Sequence, residues 1–310
     1  LHVRSRRQRQ MCIRDSFPRK KSMILGIDVG GTHTDSVLMQ NRKIIRKSKV
    51  LTDKNDILGC VMRATQAVAT PDDIKQLHRI VLSTTISTNA VAQNQLDPVG
   101  LIVMNGPGVS PKDLPLADKT SLIAGYMNHR GIEAEALDDD ELAALKQKFS
   151  KDKIDNLAVI GKFSTRNPVH EQEVGAYFDG QASHVSLGHH QSGVLNFPRR
   201  IATTYLNSAI WRLHSRMVDQ LASYLQGLGV DVPLFILKAD GGTIGVEQSR
   251  KYPVQTILSG PAATIMGVLP FVSSTADSVS IDVGGTTTDI ALFADAVSYT
   301  HLTLPTTPYV

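Results

Sequence analysis

The chain has 310 residues, of which 42% are hydrophobic and 20% are charged, a balance typical of a globular protein with a buried core. Its two cysteines, Cys12 and Cys60, exclude a disulfide framework and a cysteine-rich metal site. The net charge of +4 comes from a basic segment over residues 1–22, and the remaining chain is mildly acidic. The charge therefore does not support nucleic-acid binding, and no apolar run reaches the roughly 18 residues that a membrane helix needs.

Both ends of the chain differ from the sequence between them. Residues 1–16 and 297–310 have no periodic apolar face, and both resemble translated sequencing-adapter sequence. We therefore expect Met23 to be the native start, a break near Ala296, and two ends that pack on nothing. The expected organisation is a non-native or disordered tail over 1–22, an N-terminal region over 23–190, the truncated start of a second domain over 191–296 and a non-native tail over 297–310.

Between these ends, short apolar runs alternate with amphipathic segments, which predicts an α/β fold with a largely parallel sheet and some antiparallel hairpins. The predicted strands cover 23–28, 35–39, 43–51, 79–83, 99–104, 157–163, 184–188, 233–238 and 279–283. The predicted helices cover 56–68, 85–95, a segment capped by Asp138, 168–178, 201–228 and 260–272.

One internal repeat is the most informative feature. Residues 27–38 (IDVGGTHTDSVL) and 281–292 (IDVGGTTTDIAL) are identical at nine of twelve positions, 254 residues apart. Each copy places an aspartate at the carboxyl end of an apolar strand, followed by two glycines that permit positive φ and close approach of an anion. Two ordinary glycine-rich turns are the alternative, but the near identity of the copies favours two hairpins that clamp one nucleotide.

The residue types in the two hairpins fit phosphate and metal binding. Asp28 and Asp282 are the candidate catalytic carboxylates and Mg²⁺ ligands, because carboxylates hold this ion against phosphate oxygens. Backbone N–H groups and hydroxyls would donate to the phosphates. The candidate nucleotide-binding residues are Gly30, Gly31, Thr32, Thr34, Gly284, Gly285, Thr286, Thr287 and Thr288.

Three other groups of residues leave two interpretations open. Thr84, Thr85 and Asn89 lie at a strand-to-helix junction, which is either an anion or carbonyl site or a cluster of capping side chains. His170, beside Glu171, is either an acid–base group or, as is more common near a helix start, a capping or surface residue. Asp240 precedes two glycines and is either a further site carboxylate or part of an ordinary turn.

The paired hairpins resemble the phosphate motifs of the acetate/sugar kinase, Hsp70 and actin superfamily. Five further segments make the chain similar to the A subunit of the hydantoinase/oxoprolinase family over nearly all of residues 23–294: STTISTNA, FSTRNPVHEQEVG, TTYLNSAI, ADGGT and TILSGPAATIMG. The resemblance implies an α/β, ribonuclease-H-like actin/Hsp70/sugar-kinase ATPase fold, here a first lobe plus the opening hairpin of a second. The chain departs from the family at Leu82-Ser83, where relatives commonly have His-Gly.

The same resemblance implies a cytoplasmic, ATP-dependent hydrolase that opens a cyclic amide of the 5-oxoproline or hydantoin type by phosphorylating its carbonyl oxygen. ATP and Mg²⁺ would be the cofactors and a hydantoinase B-type subunit the partner, with no nucleic acid or membrane. Asp240 would join Asp28 and Asp282 as a catalytic residue, and Thr84, Thr85 and Asn89 would contact substrate. This chain itself is expected to be an inactive fragment. An ATP-dependent carboxylase subunit, a small-molecule kinase and an Hsp70-like, nucleotide-driven binding or reactivating protein remain alternatives.

Overall fold

The computed structural model describes residues 23–53, 56–115, 117–272, 276–284, 287–294 and 297–305. The first elements are β1 (Met23–Val29), β2 (His33–Gln40), β3 (Lys43–Leu51), α1 (Ile57–Val68), α2 (Pro71–Lys75), β4 (Leu77–Thr84) and α3 (Ile86–Ala92). Next come β5 (Gly100–Met104), β6 (Thr120–Leu122), β7 (Tyr126–Met127), β8 (Glu133–Glu135), α4 (Asp139–Lys151), β9 (Asn156–Gly161), α5 (Val169–Tyr177), β10 (His184–Leu187) and α6 (Gly188–Gln191). The last are α7 (Phe197–Gly227), β11 (Leu234–Leu237), β12 (Thr243–Gly245), α8 (Val246–Lys251), α9 (Ser259–Val268), β13 (Ser278–Val283), β14 (Thr287–Ala294) and β15 (Val297–Pro305).

The first sheet has the strand order β12-β11-β4-β1-β2-β3. Strands β1, β2 and β3 form an antiparallel meander, whereas β4 runs parallel to β1 and β11 parallel to β4. Alternate residues of β1, namely Leu25, Ile27 and Val29, are buried in a core that α1 and the end of α7 cover. This arrangement confirms the predicted α/β fold of the ribonuclease-H-like, actin-like type.

A second sheet is inserted between β4 and β11 and consists of four parallel strands in the order β10-β9-β5-β6. Every residue of β5 and β9 is buried, which is why both read as continuous apolar runs. Helix α4 covers one face through Leu142, Leu145 and Phe149. The start of α7 covers the other face.

Helix α7 joins the two sheets. Its first half packs on the second sheet through Phe197 and Ile201. Its last turns pack on the first sheet through Val218 and Leu221. Since one continuous helix of 31 residues serves both cores, the two sheets are held at a fixed distance along its axis.

The repeat's second copy lies in a third sheet, ordered β13-β14-β15. Because the resemblance implies only the opening hairpin of a second lobe, this hairpin was expected either to lie exposed or to pair with an edge strand of the first sheet. It does not pair with either edge strand of that sheet. The expectation that residues 297–310 pack on nothing is wrong for Val297–Pro305, because these residues pair with β14 as an antiparallel strand. Residues 1–16, for which the same was expected, lie outside the described residues.

Candidate functional site

The first hairpin places Asp28 at the carboxyl end of β1, between two neighbouring strands. Asp28 is in register with Asp35 of β2 on one side and with Ser83 of β4 on the other. One carboxylate oxygen of Asp28, Oδ1, is buried and has no hydrogen-bond partner. A buried and unpartnered carboxylate oxygen is costly unless a ligand satisfies it.

The electrostatic surroundings of Asp28 disfavour its charged form. Burial raises the pKa of its carboxyl group, the Ser83 hydroxyl opposes that rise, and the charges of Asp35 and Asp282 raise it further. Lys49 also lowers this pKa slightly and lies 3.1 Å from Asp35. The charge of Asp282, 254 residues away in sequence, is thus one of the smaller causes of the raised pKa of Asp28.

The turn after Asp28 requires a glycine because of close packing, and not because of the positive φ that we predicted. Gly30 does not adopt positive φ; instead, a Cβ at this position would lie 2.8 Å from the His33 carbonyl oxygen, which accepts a hydrogen bond from the Gly30 N–H. Thr32 is exposed and its hydroxyl lies 3.2 Å from His33 Nδ1. Thr34 is fully buried and its hydroxyl is 2.9 Å from that of Thr52, so this hydroxyl is used within the protein.

The second hairpin presents Asp282 from an exposed strand. Asp282 Oδ2 accepts a hydrogen bond of 2.6 Å from the Thr264 hydroxyl of α9. Gly284 is exposed and Thr288 half-buried, in register with Val283. Thr287 opens β14. Gly285 and Thr286 lie outside the described residues.

The polar residues at the β4–α3 junction hold the chain together locally. Thr84 is fully buried, and its hydroxyl accepts from the Ile86 N–H. The Thr85 hydroxyl donates to the Val29 carbonyl and accepts from the Asn89 amide. These contacts favour the interpretation as a structural junction for Thr84 and Thr85, in which the Asn89 amide nitrogen also takes part.

Asp240 lies in an exposed turn with its own partners. Its carboxylate is 2.8 Å from Lys238 Nζ and accepts a hydrogen bond of 2.9 Å from the Gly242 N–H, and these contacts, Lys238 first, lower its pKa. Gly241, which lies between Asp240 and Gly242, has a φ of +77°. The turn interpretation therefore accounts for this DGG segment locally.

The structure also reveals a buried ionic cluster that the sequence analysis did not identify. Glu171 is fully buried, and its two oxygens accept from the Gly161 N–H, the His189 N–H and His189 Nδ1. Arg200, also fully buried, donates to Ser164 Oγ at 2.7 Å and to the Gly161 carbonyl at 3.0 Å. The cluster fixes the carboxyl end of β9 against α7.

His170 is buried as well, not on the surface. Its Nε2 lies 2.8 Å from Glu133 of β8, while its Nδ1 is buried without a partner. In α7, His214 is fully buried, and burial lowers its pKa to about 4. His184 stacks on Trp211, and burial lowers its pKa to about 4 too. His170 thus lies in α5 against β8, His184 in β10 of the second sheet and His214 in α7.

In the described part of the chain, no three His, Cys, Asp or Glu side chains are grouped as a metal site would need. Nor does any helix there combine the length and the apolarity required to cross a bilayer. Asp28 and Asp282 are the carboxylates at equivalent positions of the two hairpins. Such a pair suits an ion that takes its remaining ligands from phosphate and water.

Two protein-family models match the chain. A model described as "Hydantoinase/oxoprolinase N-terminal region" matches residues 24–179, and one described as "Hydantoinase/oxoprolinase" matches residues 200–304. The first match alone covers half of the chain. The protein therefore belongs to the hydantoinase/oxoprolinase family, as the motifs suggested.

Curated relatives carry more specific activities in their names. The chain is similar to the caprolactamase subunit alpha of Pseudomonas jessenii, with 24% identity over 306 residues, covering 88% of this chain and 44% of that protein. It is also similar to the acetophenone carboxylase gamma subunit of Aromatoleum aromaticum, with 23% identity, covering 88% of this chain and 42% of that protein. The chain thus spans less than half the length of these relatives.

Two solved structures share the fold. An acetone carboxylase, solved without nucleotide, superposes with a TM-score of 0.77 at 19% identity, covering 92% of this chain and 47% of that one. The ATP-dependent caprolactamase of Pseudomonas jessenii superposes with a TM-score of 0.70 at 24% identity, covering 87% of this chain and 43% of that one. Both are named as ATP-dependent enzymes.

Proposed function

We propose that this protein binds Mg-ATP between its two repeated hairpins and uses it to open a cyclic amide, through phosphorylation of the amide carbonyl oxygen. The observation that carries the proposal is that Asp28 and Asp282 take the same place in two hairpins of near-identical sequence and register, and the charge of Asp282 is among the causes that raise the pKa of Asp28. Because the chain spans less than half the length of its curated relatives, the reaction is proposed for the whole protein.

The residues present fit a magnesium ion and a phosphate chain. Asp28 offers a buried carboxylate oxygen that has no protein partner, and a nearby cation would stabilise the charged form that burial disfavours. Gly30 leaves no room for a Cβ beside the turn, so the backbone can approach an anion closely. When bound, Mg²⁺ would neutralise charge that develops on the transferred phosphoryl group.

Each part of the two hairpins then has a defined task. Asp28 and Asp282 would hold the metal ion from opposite sides. Backbone N–H groups and hydroxyls of the two Gly-Gly-Thr turns would donate to the phosphates. These donors are the candidates Gly31, Thr32, Gly284, Gly285, Thr286, Thr287 and Thr288. The Gly30 N–H already donates to the His33 carbonyl, so Gly30 would shape the turn. Thr34, with its hydroxyl already near Thr52, would support the turn.

A cyclic amide is the favoured substrate class because the caprolactamase is 24% identical to this chain, whereas the two carboxylases are 23% and 19% identical. A carboxylase is the second candidate, since the acetophenone carboxylase gamma subunit matches 88% of the chain. In both cases ATP would activate a carbonyl or carboxylate oxygen. The names of the curated relatives describe subunits, which supports a partner of the hydantoinase B type for this protein.

Substrate-dependent ADP release by the whole protein with its partner subunit separates the candidates. We expect release with five- to seven-membered cyclic amides and no bicarbonate requirement. Release that needs both a ketone and bicarbonate would instead identify a carboxylase. Release with sugars or other alcohols, without ring opening, would overturn both in favour of a small-molecule kinase.

A nucleotide-driven binding protein of the Hsp70 type would give a different result in the same assay. ADP release would then be slow and independent of small substrates, and ATP would reverse association with a protein partner. The matched control is the Asp28→Asn protein, which should release no substrate-dependent ADP under any of these conditions.

A further inference from the structure

Helix α9 contacts Asp282 of the second hairpin and also the end of β4 that lies beside Asp28. At its start, the Ser259 hydroxyl donates to the Thr84 carbonyl at 3.0 Å. In its middle, the Thr264 hydroxyl donates to Asp282 at 2.6 Å. The helix therefore touches the carboxyl end of β4 with one part and the second hairpin with another.

The β4 end of this connection leads to Asp28. Thr85, which follows Thr84, donates both its N–H and its hydroxyl to the carbonyl of Val29, at 3.0 and 3.2 Å. Val29 is the residue after Asp28, and Asp28 itself is in register with Ser83. Asp28 and the start of α9 are thus anchored to the same three residues of β4 and its continuation.

The start of α9 is held in an unusual conformation. Leu258, the residue before the helix, has φ 66° and ψ 24°, the left-handed region that a leucine adopts only under constraint. The Thr88 hydroxyl accepts its N–H at 2.8 Å. A Cβ on the next glycine, Gly260, would lie 3.1 Å from Thr85. Close packing and a strained residue together set the direction in which the helix leaves β4.

Asp282 itself has little else to hold its side chain. It lies on an exposed strand of the third sheet, opposite Asp289 of β14. A short hydrogen bond from a neutral hydroxyl to a carboxylate restricts the carboxylate's rotation and is about twice as strong as one between neutral groups.

We propose that Thr264 is a positioning residue that orients Asp282 toward Asp28, and that α9 sets the separation of the two carboxylates. This inference rests on the proposed function, because it assigns the orientation of a ligand in that metal site. Thr264 touches neither metal nor nucleotide in this role. It acts through Asp282, much as the partners behind ligating side chains do in metal sites generally.

The test is Mn²⁺ binding in the presence of inorganic pyrophosphate, followed by water-proton relaxation, which reports weak binding and needs no turnover. Thr264→Val should weaken Mn²⁺ binding by about ten- to a hundredfold, the loss typical when such a supporting hydrogen bond is removed. Thr264→Ser, which keeps the hydroxyl, should restore the wild-type affinity. Thr203→Val is the matched control, because the Thr203 hydroxyl donates only to the Arg199 carbonyl within α7.

The outcomes separate this inference from the function on which it rests. If the wild type binds Mn²⁺ and Asp28→Asn abolishes binding, the metal site stands; wild-type affinity of Thr264→Val would then overturn the positioning role alone. Equal Mn²⁺ affinity of the wild type and Asp28→Asn would overturn both. A loss in Thr264→Val that Thr264→Ser does not restore, accompanied by a lower melting temperature, would assign Thr264 to the stability of α9 instead.

Discussion

The two copies of the repeat have nearly the same sequence and very different surroundings. In the first copy, Leu25, Ile27 and Val29 are at most 3% exposed. The equivalent residues of the second copy, Val279, Ile281 and Val283, are 60–72% exposed. The hairpin itself forms in both places with the same register, which pairs the two aspartates of each copy across the strands.

The difference comes from the elements around each hairpin. The first copy lies inside a six-stranded sheet, and its apolar face is covered by α1 and α7. In the second copy, it is the opposite face that is covered, where Ala291 and Phe293 are buried. The local sequence therefore determines the turn and the register, whereas the rest of the chain determines which face is buried.

The strongest test of this comparison is the same substitution in both copies. Ile27→Ala should lower the free energy of unfolding by about 2–5 kcal/mol, because it leaves a cavity in a packed core. Ile281→Ala should change it by less than about 0.5 kcal/mol, since the side chain is already exposed. Urea denaturation followed by circular dichroism measures both, and similar losses would show that the exposed face of the third sheet is covered in solution.

Substitutions in the two copies of the repeat should affect stability differently, but they should affect catalysis to a similar extent. If both carboxylates hold one metal ion, Asp28→Asn and Asp282→Asn should each lower ATP turnover of the whole protein by at least ~10², despite their different burial. Steady-state ADP release is the measurement. Full turnover in Asp282→Asn would remove the second hairpin from the site and leave the first to act alone.

Much of the fold was predictable because its signals are local. The spacing of apolar residues predicted the strands of the first meander, and β3 has the predicted bounds of 43–51. Helix starts at the caps Asp56 and Asp138 followed from side chains that accept the first free N–H groups. The repeat itself indicated that two distant aspartates belong together.

The features that sequence reasoning missed depend on distant partners. Arg200 and Glu171 look like ordinary surface charges, yet both are fully buried. Arg200 meets Gly161, 39 residues away in sequence, and Glu171 meets His189, 18 residues away. Strand β12 is three residues long, too short for a pattern of its own. For Arg200, the only available signal was its place one turn before Thr204 on the buried face of α7.

The smallest expected effect concerns the protonation of the Asp28 carboxyl group and its influence on the stability of the fold. Burial, first among the causes, raises the pKa of Asp28 above its ordinary value of 3.8. In the metal-free protein, the folded state therefore binds this proton at a pH where the unfolded chain has already released it. Stability linked to Asp28 is present below 3.8 and is lost as the pH rises through the folded-state pKa. Above that pKa the ionised, buried carboxylate thus destabilises the fold.

Asp28→Asn removes that charge while keeping the shape of the side chain. We expect the variant to have a higher urea midpoint than the wild type at pH 7 without metal, and the difference to shrink as the pH falls to 3.8 and below. Added Mg²⁺ with pyrophosphate should raise the midpoint of the wild type only, because binding to the folded state alone stabilises it. A lower midpoint for the variant at pH 7 would mean that the Asp28 carboxylate is already satisfied within the protein, and the argument for a ligand at its free oxygen would fail.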